Sequence, residues 1–348
     1  MEGFRATRTI LSLTRSSYVV WRQVLRKEST ISPQTNLIQD LSYLKQEPKL
    51  AAASEIVKRY DTFLFDVDGV LWNTDESPIP GITDSLEKLK ELDKTVILVT
   101  NNSINSRKYL QKVIKRRLGY DFPKENIFTV AYTAALFVKE IANVQGTVYL
   151  MGSPGMASEM DDLEINHVGF GPDPDPPSMD PQEILQRPLH ENIGAVVVGM
   201  DPYIGFNKFS KAASYLYNPN CYYVATNCFE GGLHVGQGKV MPITGTFVTA
   251  LNFLSKREPV VIGKPHKYML ECIETKHFIQ RGRTIMVGDN LRADIGFAKT
   301  VGIDSLLVLS GANNLQDVQE NLESDCPSKK NLIPDYYAMS LADLCKSL

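Results

Sequence analysis

Short apolar runs punctuate the chain: TFLFD (62–66), VILVT (96–100), VVIG (260–263), TIMVG (284–288) and SLLVL (305–309). Each is continuous rather than alternating, the pattern of a strand covered on both faces. Stretches at helical spacing lie between them. In ITDSLEKLKELDK, Ile82, Leu86, Leu89 and Leu92 fall on one face. SRKYLQKVIKRRLG (106–119) aligns Tyr109, Leu110, Val113, Ile114 and Leu118, and Gly119 fits the stop after that helix. KYMLECIETKH and LRADIGFAKTVG, the latter ending at Gly302, predict two more helices. This alternation of strand and helix predicts an α/β fold, a Rossmann-like doubly wound parallel sheet with right-handed crossovers.

Roughly 160 residues separate VILVT from VVIG, far more than one crossover needs. The segment carries its own strand patterns, TVYLMG (147–152), AVVVGM (195–200) and YYVAT (222–226), and its own helical ones, FNKFSKAASYLYN and TGTFVTALNFLS. It reads as an inserted α/β domain over 142–257, within a core made of 55–141 and 258–348. The proline-rich GFGPDPDPPSMDP (169–181) predicts a surface loop.

Composition changes this picture little. Apolar residues make up 43% and charged residues 22% of 348, the balance of a globular protein of about two domains. A net charge of −3 gives no general pull toward nucleic acid or membrane, and no apolar run approaches the ~20 residues of a bilayer span. The cysteines Cys221, Cys228, Cys272, Cys326 and Cys345 form no CxxC pair, which argues for a reducing compartment and against a zinc site. Residues 1–54 form a basic extension. Within 1–27, Arg5, Arg8, Arg15, Arg22, Arg26 and Lys27 face a single acid, Glu2. Two readings stand: a mitochondrial transit peptide, placing the protein in the matrix, or a disordered basic tail or short surface helix on a cytoplasmic protein.

In an open parallel sheet, ligands bind beyond the carboxyl ends of the strands. Asp66 and Asp68 follow the first run, and Thr100, Asn101 and Asn102 close the second. Lys264 follows VVIG, and Asp289 follows TIMVG with Asp294 five residues on. Taken singly, each has a plain structural reading as a turn, a helix cap or a solvated lysine. Taken in order, each after an apolar run, they suit phosphoryl transfer. A carboxylate such as Asp66 can attack phosphorus and form an acyl phosphate that water hydrolyses. Residues two apart in an extended chain point the same way, so Asp68 can protonate the leaving oxygen and later deprotonate water. Mg²⁺ held by Asp66, the Asp68 carbonyl and Asp289 would cancel much of the anion–anion repulsion. Lys264, Thr100 and Asn101 can stabilise the transferring group, and Gly69 permits the tight turn after the acid pair.

On DVDGVLW, VTNNS, GKP and GDNLRAD the sequence is similar to the haloacid dehalogenase superfamily of phosphatases. The long insertion after the second motif resembles the branch with a large α/β cap, which includes phosphoglycolate, pyridoxal phosphate, 4-nitrophenyl and NagD-type phosphatases. The likeness to phosphoglycolate phosphatases continues through VVVGMDP and NLESDCPSKKNLIPDYY. This resemblance implies Asp66 as nucleophile and Asp68 as acid/base. It implies Thr100, Asn101 and Lys264 as phosphate ligands, with Asn102 beside them. It implies Asp66, Asp68 and Asp289 at Mg²⁺, with Asp294 supporting. The expected substrate is a small phosphate ester, with 2-phosphoglycolate first and pyridoxal 5′-phosphate or aryl and phosphotyrosine esters as alternatives. The family also implies self-association through the cap. One departure stands out: in ATNCFEGGLHVGQGKVMPITG, Phe229 occupies the place of a usual cap aspartate. Asn227, Glu230 and His234 are candidate substrate contacts in that loop. A non-catalytic phosphate-binding protein on the same scaffold is the alternative of another class. A receiver domain and a dehalogenase proper fit the motif order and Asp68 less well.

Overall fold

The computed structural model describes residues 48–73 and 75–344. The basic segment 1–27, read above as a transit peptide or tail, lies outside the described residues. No helix among the described residues is long and apolar enough to cross a membrane. The chain divides into two units.

The first unit spans Met1–Thr100, Val113–Ile127 and Phe278–Leu348. Its sheet runs in the order Lys49–Leu50, Tyr336–Ala338, Asp304–Val308, Thr284–Gly288, Thr62–Phe65 and Thr95–Thr100. These six pair in parallel. Phe63, Leu64 and Phe65 are fully buried in succession, as are Ile285, Met286 and Val287, so both faces of the sheet centre are covered. Helix Ile82–Glu91 buries Ile82, Leu86 and Leu89. Leu92 departs from its expected face, because it stands past the helix end and is 40% exposed. Helix Arg107–Leu118, whose residues up to Lys112 count with the second unit, ends at Gly119, whose φ of +68° suits the left-handed stop predicted for it.

The second unit spans Asn101–Lys112 and Phe128–His277. Its five-stranded sheet has the order Val260–Val261, Tyr222–Ala225, Ile193–Val198, Thr147–Met151, His167–Val168, parallel throughout. Helices Phe206–Leu216 and Thr244–Ser255 cover it through Ala212, Leu216, Phe247, Val248 and Leu251. This unit is broader than the expected insertion at 142–257, since it also takes in 101–112, 128–141 and 258–277.

VVIG was expected in the core sheet. Instead Val260–Val261 pairs with Val224 and Ala225 at the edge of the second unit's sheet. A two-residue apolar strand carries no periodicity of its own, so the available partner decides its sheet. An antiparallel hairpin, Gly232–Gly236 with Lys239–Pro242, was not anticipated. The segment 169–181 is largely on the surface as expected, with Met179 90% exposed.

Candidate active site

In the first unit the sheet brings three carboxylates together. Asp66 follows strand Thr62–Phe65, and its N–H donates to the Val287 carbonyl at 2.9 Å. The next strand over, Thr284–Gly288, delivers Asp289 at the same sheet edge. A π-helical turn, Leu291–Ile295, then carries Asp294 back toward it. All three acids are buried, and one oxygen from each lies within 4.8 Å of the others.

Three glycines packed against these acids leave no room for a side chain. A methyl on Gly69 would come within 2.1 Å of Asp289 Oδ2, and one on Gly311 within 1.8 Å of the same oxygen. A methyl on Gly288 would meet the Asp294 carboxyl at 2.2 Å. Gly69 also has φ of +77°, so the turn after the acid pair needs glycine on two counts. Asp289 Oδ2 accepts the Ala312 N–H at 2.7 Å, and Asp294 Oδ2 accepts the Asn290 N–H at 3.0 Å. Asp289 Oδ1 is buried with no protein partner. Burial, followed by the charges of Asp66 and Asp294, pushes the Asp289 carboxyl well above the usual carboxylate range. An orphaned oxygen amid three crowded carboxylates fits a hard divalent cation with oxygen ligands.

Asp68 is half-buried, two residues on from Asp66. Its Oδ1 accepts the indole N–H of Trp72 at 2.8 Å. Trp72 is fully buried, and the Arg117 guanidinium lies 4.7 Å from its ring centroid. Ser310 Oγ donates to the Gly69 carbonyl at 2.6 Å, tying the turn after Asp68 to the loop after strand Asp304–Val308. Sequence reasoning missed this 310–313 loop and Trp72. The loop works through the Ala312 N–H and through the smallness of Gly311. The only signal for it was its place at the end of another parallel strand. Thr100 is the last residue of its strand and is buried.

In the second unit, Asn101 and Lys264 meet directly. Asn101 Nδ2 donates to the Lys264 carbonyl at 2.9 Å, and both residues are buried. Gly263 lets them approach, since a methyl there would come within 2.6 Å of Asn101 Oδ1 and 2.7 Å of the Thr226 carbonyl. Asn102 plays a different part. Its Oδ1 accepts the N–H groups of Ile104 and Asn105 at 2.9 and 3.1 Å, which shapes the turn. Among the cap candidates, Asn227 is buried with Nδ2 unpartnered, whereas Glu230 is exposed. His234 lies in hairpin strand Gly232–Gly236. Phe229 is half-buried, and its carbonyl packs so closely on Gly245 that a methyl there would be 1.9 Å away.

Comparison with known proteins agrees with this geometry. A model of the haloacid dehalogenase-like hydrolases matches residues 63–166, and a second, HAD-hydrolase-like model matches 261–344. The chain is 37% identical over 304 residues to glycerol-3-phosphate phosphatase of Homo sapiens, covering 85% of this chain and 93% of that one. It is 33% identical to the chloroplastic phosphoglycolate phosphatase 1A of Arabidopsis thaliana, over 85% of this chain and 79% of that one. Among solved structures, the p-nitrophenyl phosphatase of Archaeoglobus fulgidus superposes with a TM-score of 0.67 at 26% identity, over 83% of this chain and 99% of that one. The acid cluster at the sheet edge and the extent of these matches lead to one conclusion: the chain belongs to the haloacid dehalogenase-like hydrolases, among the phosphatases of that family.

Proposed function

We propose that the protein is a Mg²⁺-dependent phosphomonoesterase of small aliphatic phosphate esters, with 2-phosphoglycolate the lead substrate and glycerol 3-phosphate beside it. The observation that carries this reading is the buried grouping of Asp66, Asp289 and Asp294, with Asp68 two residues from Asp66 and held by Trp72. The names of the relatives support the two leading substrates. The residues 55–141 and 258–348 serve as catalytic core and 142–257 as a cap that admits small esters only. Self-association through that cap, and residence in the cytosol or the mitochondrial matrix, belong to the same proposal.

Each residue then has a defined role. The Asp66 carboxylate attacks phosphorus as the ester oxygen leaves, and Asp68 gives that oxygen its proton. Asp68 next takes a proton from the water that attacks the acyl phosphate, which regenerates the Asp66 carboxylate. Thr100, Asn101 and Lys264 bind the phosphoryl oxygens and offset their charge. Asp66, Asp289 and the Asp68 carbonyl hold the cation, with Asp294 steadying the set. When bound, the cation supplies positive charge that lets one anion approach another.

The test is phosphate release from 2-phosphoglycolate, glycerol 3-phosphate, pyridoxal 5′-phosphate, 4-nitrophenyl phosphate and a phosphotyrosine peptide, with and without Mg²⁺. The highest kcat/KM is expected on one of the two aliphatic esters. A clear preference for pyridoxal or aryl esters would replace them as substrate class. No release from any ester by folded protein would overturn the reading.

A smaller effect follows from Trp72. Its indole N–H donates to Asp68 Oδ1 at 2.8 Å and so fixes the orientation of that carboxyl. Trp72→Phe keeps most of the apolar ring and removes that donor. We expect kcat to fall roughly 10-fold, with KM little changed, because the proton transfer loses its aim while phosphate binding is untouched. Steady-state kinetics on the best ester decides it.

A further inference from the structure

We infer that Ser153 and Glu159 are positioning residues, which grip the 101–107 turn and hold its polar side chains open for an incoming phosphate. The inference rests on the assignment of Asn101 as a phosphate ligand. Ser153 is the N-cap of helix Pro154–Asp162, where its Oγ accepts the Met156 N–H at 3.2 Å. The same hydroxyl donates to the Ser103 carbonyl at 2.6 Å. Further along the helix, Glu159 takes both hydrogen bonds that Arg107 offers it: the backbone N–H to Oε1 at 2.6 Å and Nε to Oε2 at 2.9 Å. The Arg107 guanidinium also lies 3.3 Å from the Tyr132 ring centroid.

Between these two grips the backbones touch. A methyl on Gly155 would come within 2.3 Å of the Ile104 carbonyl and 2.7 Å of the Ser106 nitrogen. The helix therefore holds the turn at Ser103, Ile104 and Arg107, and the Asn102 side chain braces it from inside.

Three buried side-chain atoms of the held turn have no protein partner: Asn101 Oδ1, Ser103 Oγ and Asn105 Nδ2. The Ser103 hydroxyl and the Asn105 amide nitrogen can donate to a phosphate oxygen, whereas Asn101 Oδ1 only accepts. Buried polar groups are costly when unpaired, so a loose turn would rotate them toward water or toward each other. Their persistence needs surroundings that over-determine the backbone. The Ser153 and Glu159 contacts supply that constraint, in the manner of a supporting shell around a preorganised site. Both are nearly inaccessible to solvent, Ser153 at 2% and Glu159 at 1% exposure. An exposed ion pair would contribute little, but losing one partner of a buried pair leaves a charge unpaired.

The test uses the full chain with Mg²⁺ and two variants. Ser153→Gly removes the donor to Ser103 while glycine remains an acceptable N-cap. Glu159→Gln keeps the shape and one acceptor but removes the charge. KM for the best ester, competitive inhibition by inorganic phosphate, and direct calorimetric binding of inorganic phosphate are measured beside the melting temperature. Weakening of phosphate binding by about 10-fold is expected in Ser153→Gly, in both inhibition and calorimetry, with Ser153→Thr restoring most of it. A purely structural role predicts a lower active fraction and melting temperature with unchanged KM and phosphate affinity, and that result would overturn the inference. Should Glu159→Gln fail to fold, Ser153→Gly decides alone. The phosphatase reading fails separately, through absent turnover in the wild type, while calorimetric binding of phosphate still reports on the turn. A wild type that binds no phosphate sinks both.

Discussion

Asp66→Asn is expected to fold normally and to lose turnover by at least about 10⁴-fold on every ester, the scale seen when a covalent nucleophile is removed. The amide has almost the shape of the carboxylate, and the bond from its backbone N–H to the Val287 carbonyl is independent of the side chain. What disappears is the electron pair that attacks phosphorus. The remaining groups can bind and polarise the ester, but they have nothing to transfer the phosphoryl group to. One of three crowded acids is also neutralised, so the melting temperature should hold or rise. Circular dichroism, melting and phosphate release on one preparation settle the matter. Substantial turnover by the folded variant would mean that water attacks directly, with the carboxylates serving only to hold the cation and the proton.

How much of this was readable beforehand depends on what each element relies on. The strands Thr62–Phe65, Thr95–Thr100 and Thr284–Gly288 were legible because a doubly covered parallel strand must be apolar without interruption. That Asp66 and Asp289 lie together at one sheet edge was legible for the complementary reason: each carboxylate ends an apolar run whose strand delivers it there. Val260–Val261 was placed in the wrong sheet because two valines fit either edge, and the choice lies in the partner Val224–Ala225. The hairpin Gly232–Gly236/Lys239–Pro242 left a fainter trace. Its turn sits at Gln237 and Gly238, both with positive φ, a turn signal passed over in a stretch considered only for substrate contacts. The 310–313 loop was illegible in principle from side-chain chemistry, because its contribution to Asp289 is a backbone N–H and a missing Cβ. Asn102 shows another limit: residue type alone does not tell that its side-chain oxygen accepts hydrogen bonds from the turn it belongs to. Sequence shows where the chemistry is deposited, and only packing shows which donors and acceptors are already committed.

The second large effect belongs to Asp289, where function and stability are set against each other. Its carboxyl is buried, one oxygen is orphaned, and Asp66 and Asp294 crowd it. A carboxyl raised in this way stabilises the fold below its unfolded pKa of about 4, and that contribution is lost as pH rises through the higher folded value. The protein stripped with a chelator should therefore weaken as pH rises from about 4 toward neutrality. Asp289→Asn removes the titration while its side-chain oxygen can still accept the Ala312 N–H. Near neutral pH in chelator, the variant should be the more stable by about 1 kcal/mol, roughly 2–4 °C in melting temperature. Saturating Mg²⁺ reverses the order. Binding at 100 times Kd adds about 2.7 kcal/mol to the wild type, and the variant, having lost a charged ligand, gains far less. Turnover in the variant should fall by about 10³-fold, since the cation no longer offsets the approach of one anion to another. Melting curves in chelator and in Mg²⁺ across pH, read beside phosphate release, test all of this together. A variant that melts lower than wild type in chelator would show that Asp289 is a structural acid whose charge the fold needs. Equal Mg²⁺ stabilisation of both proteins would place the cation elsewhere.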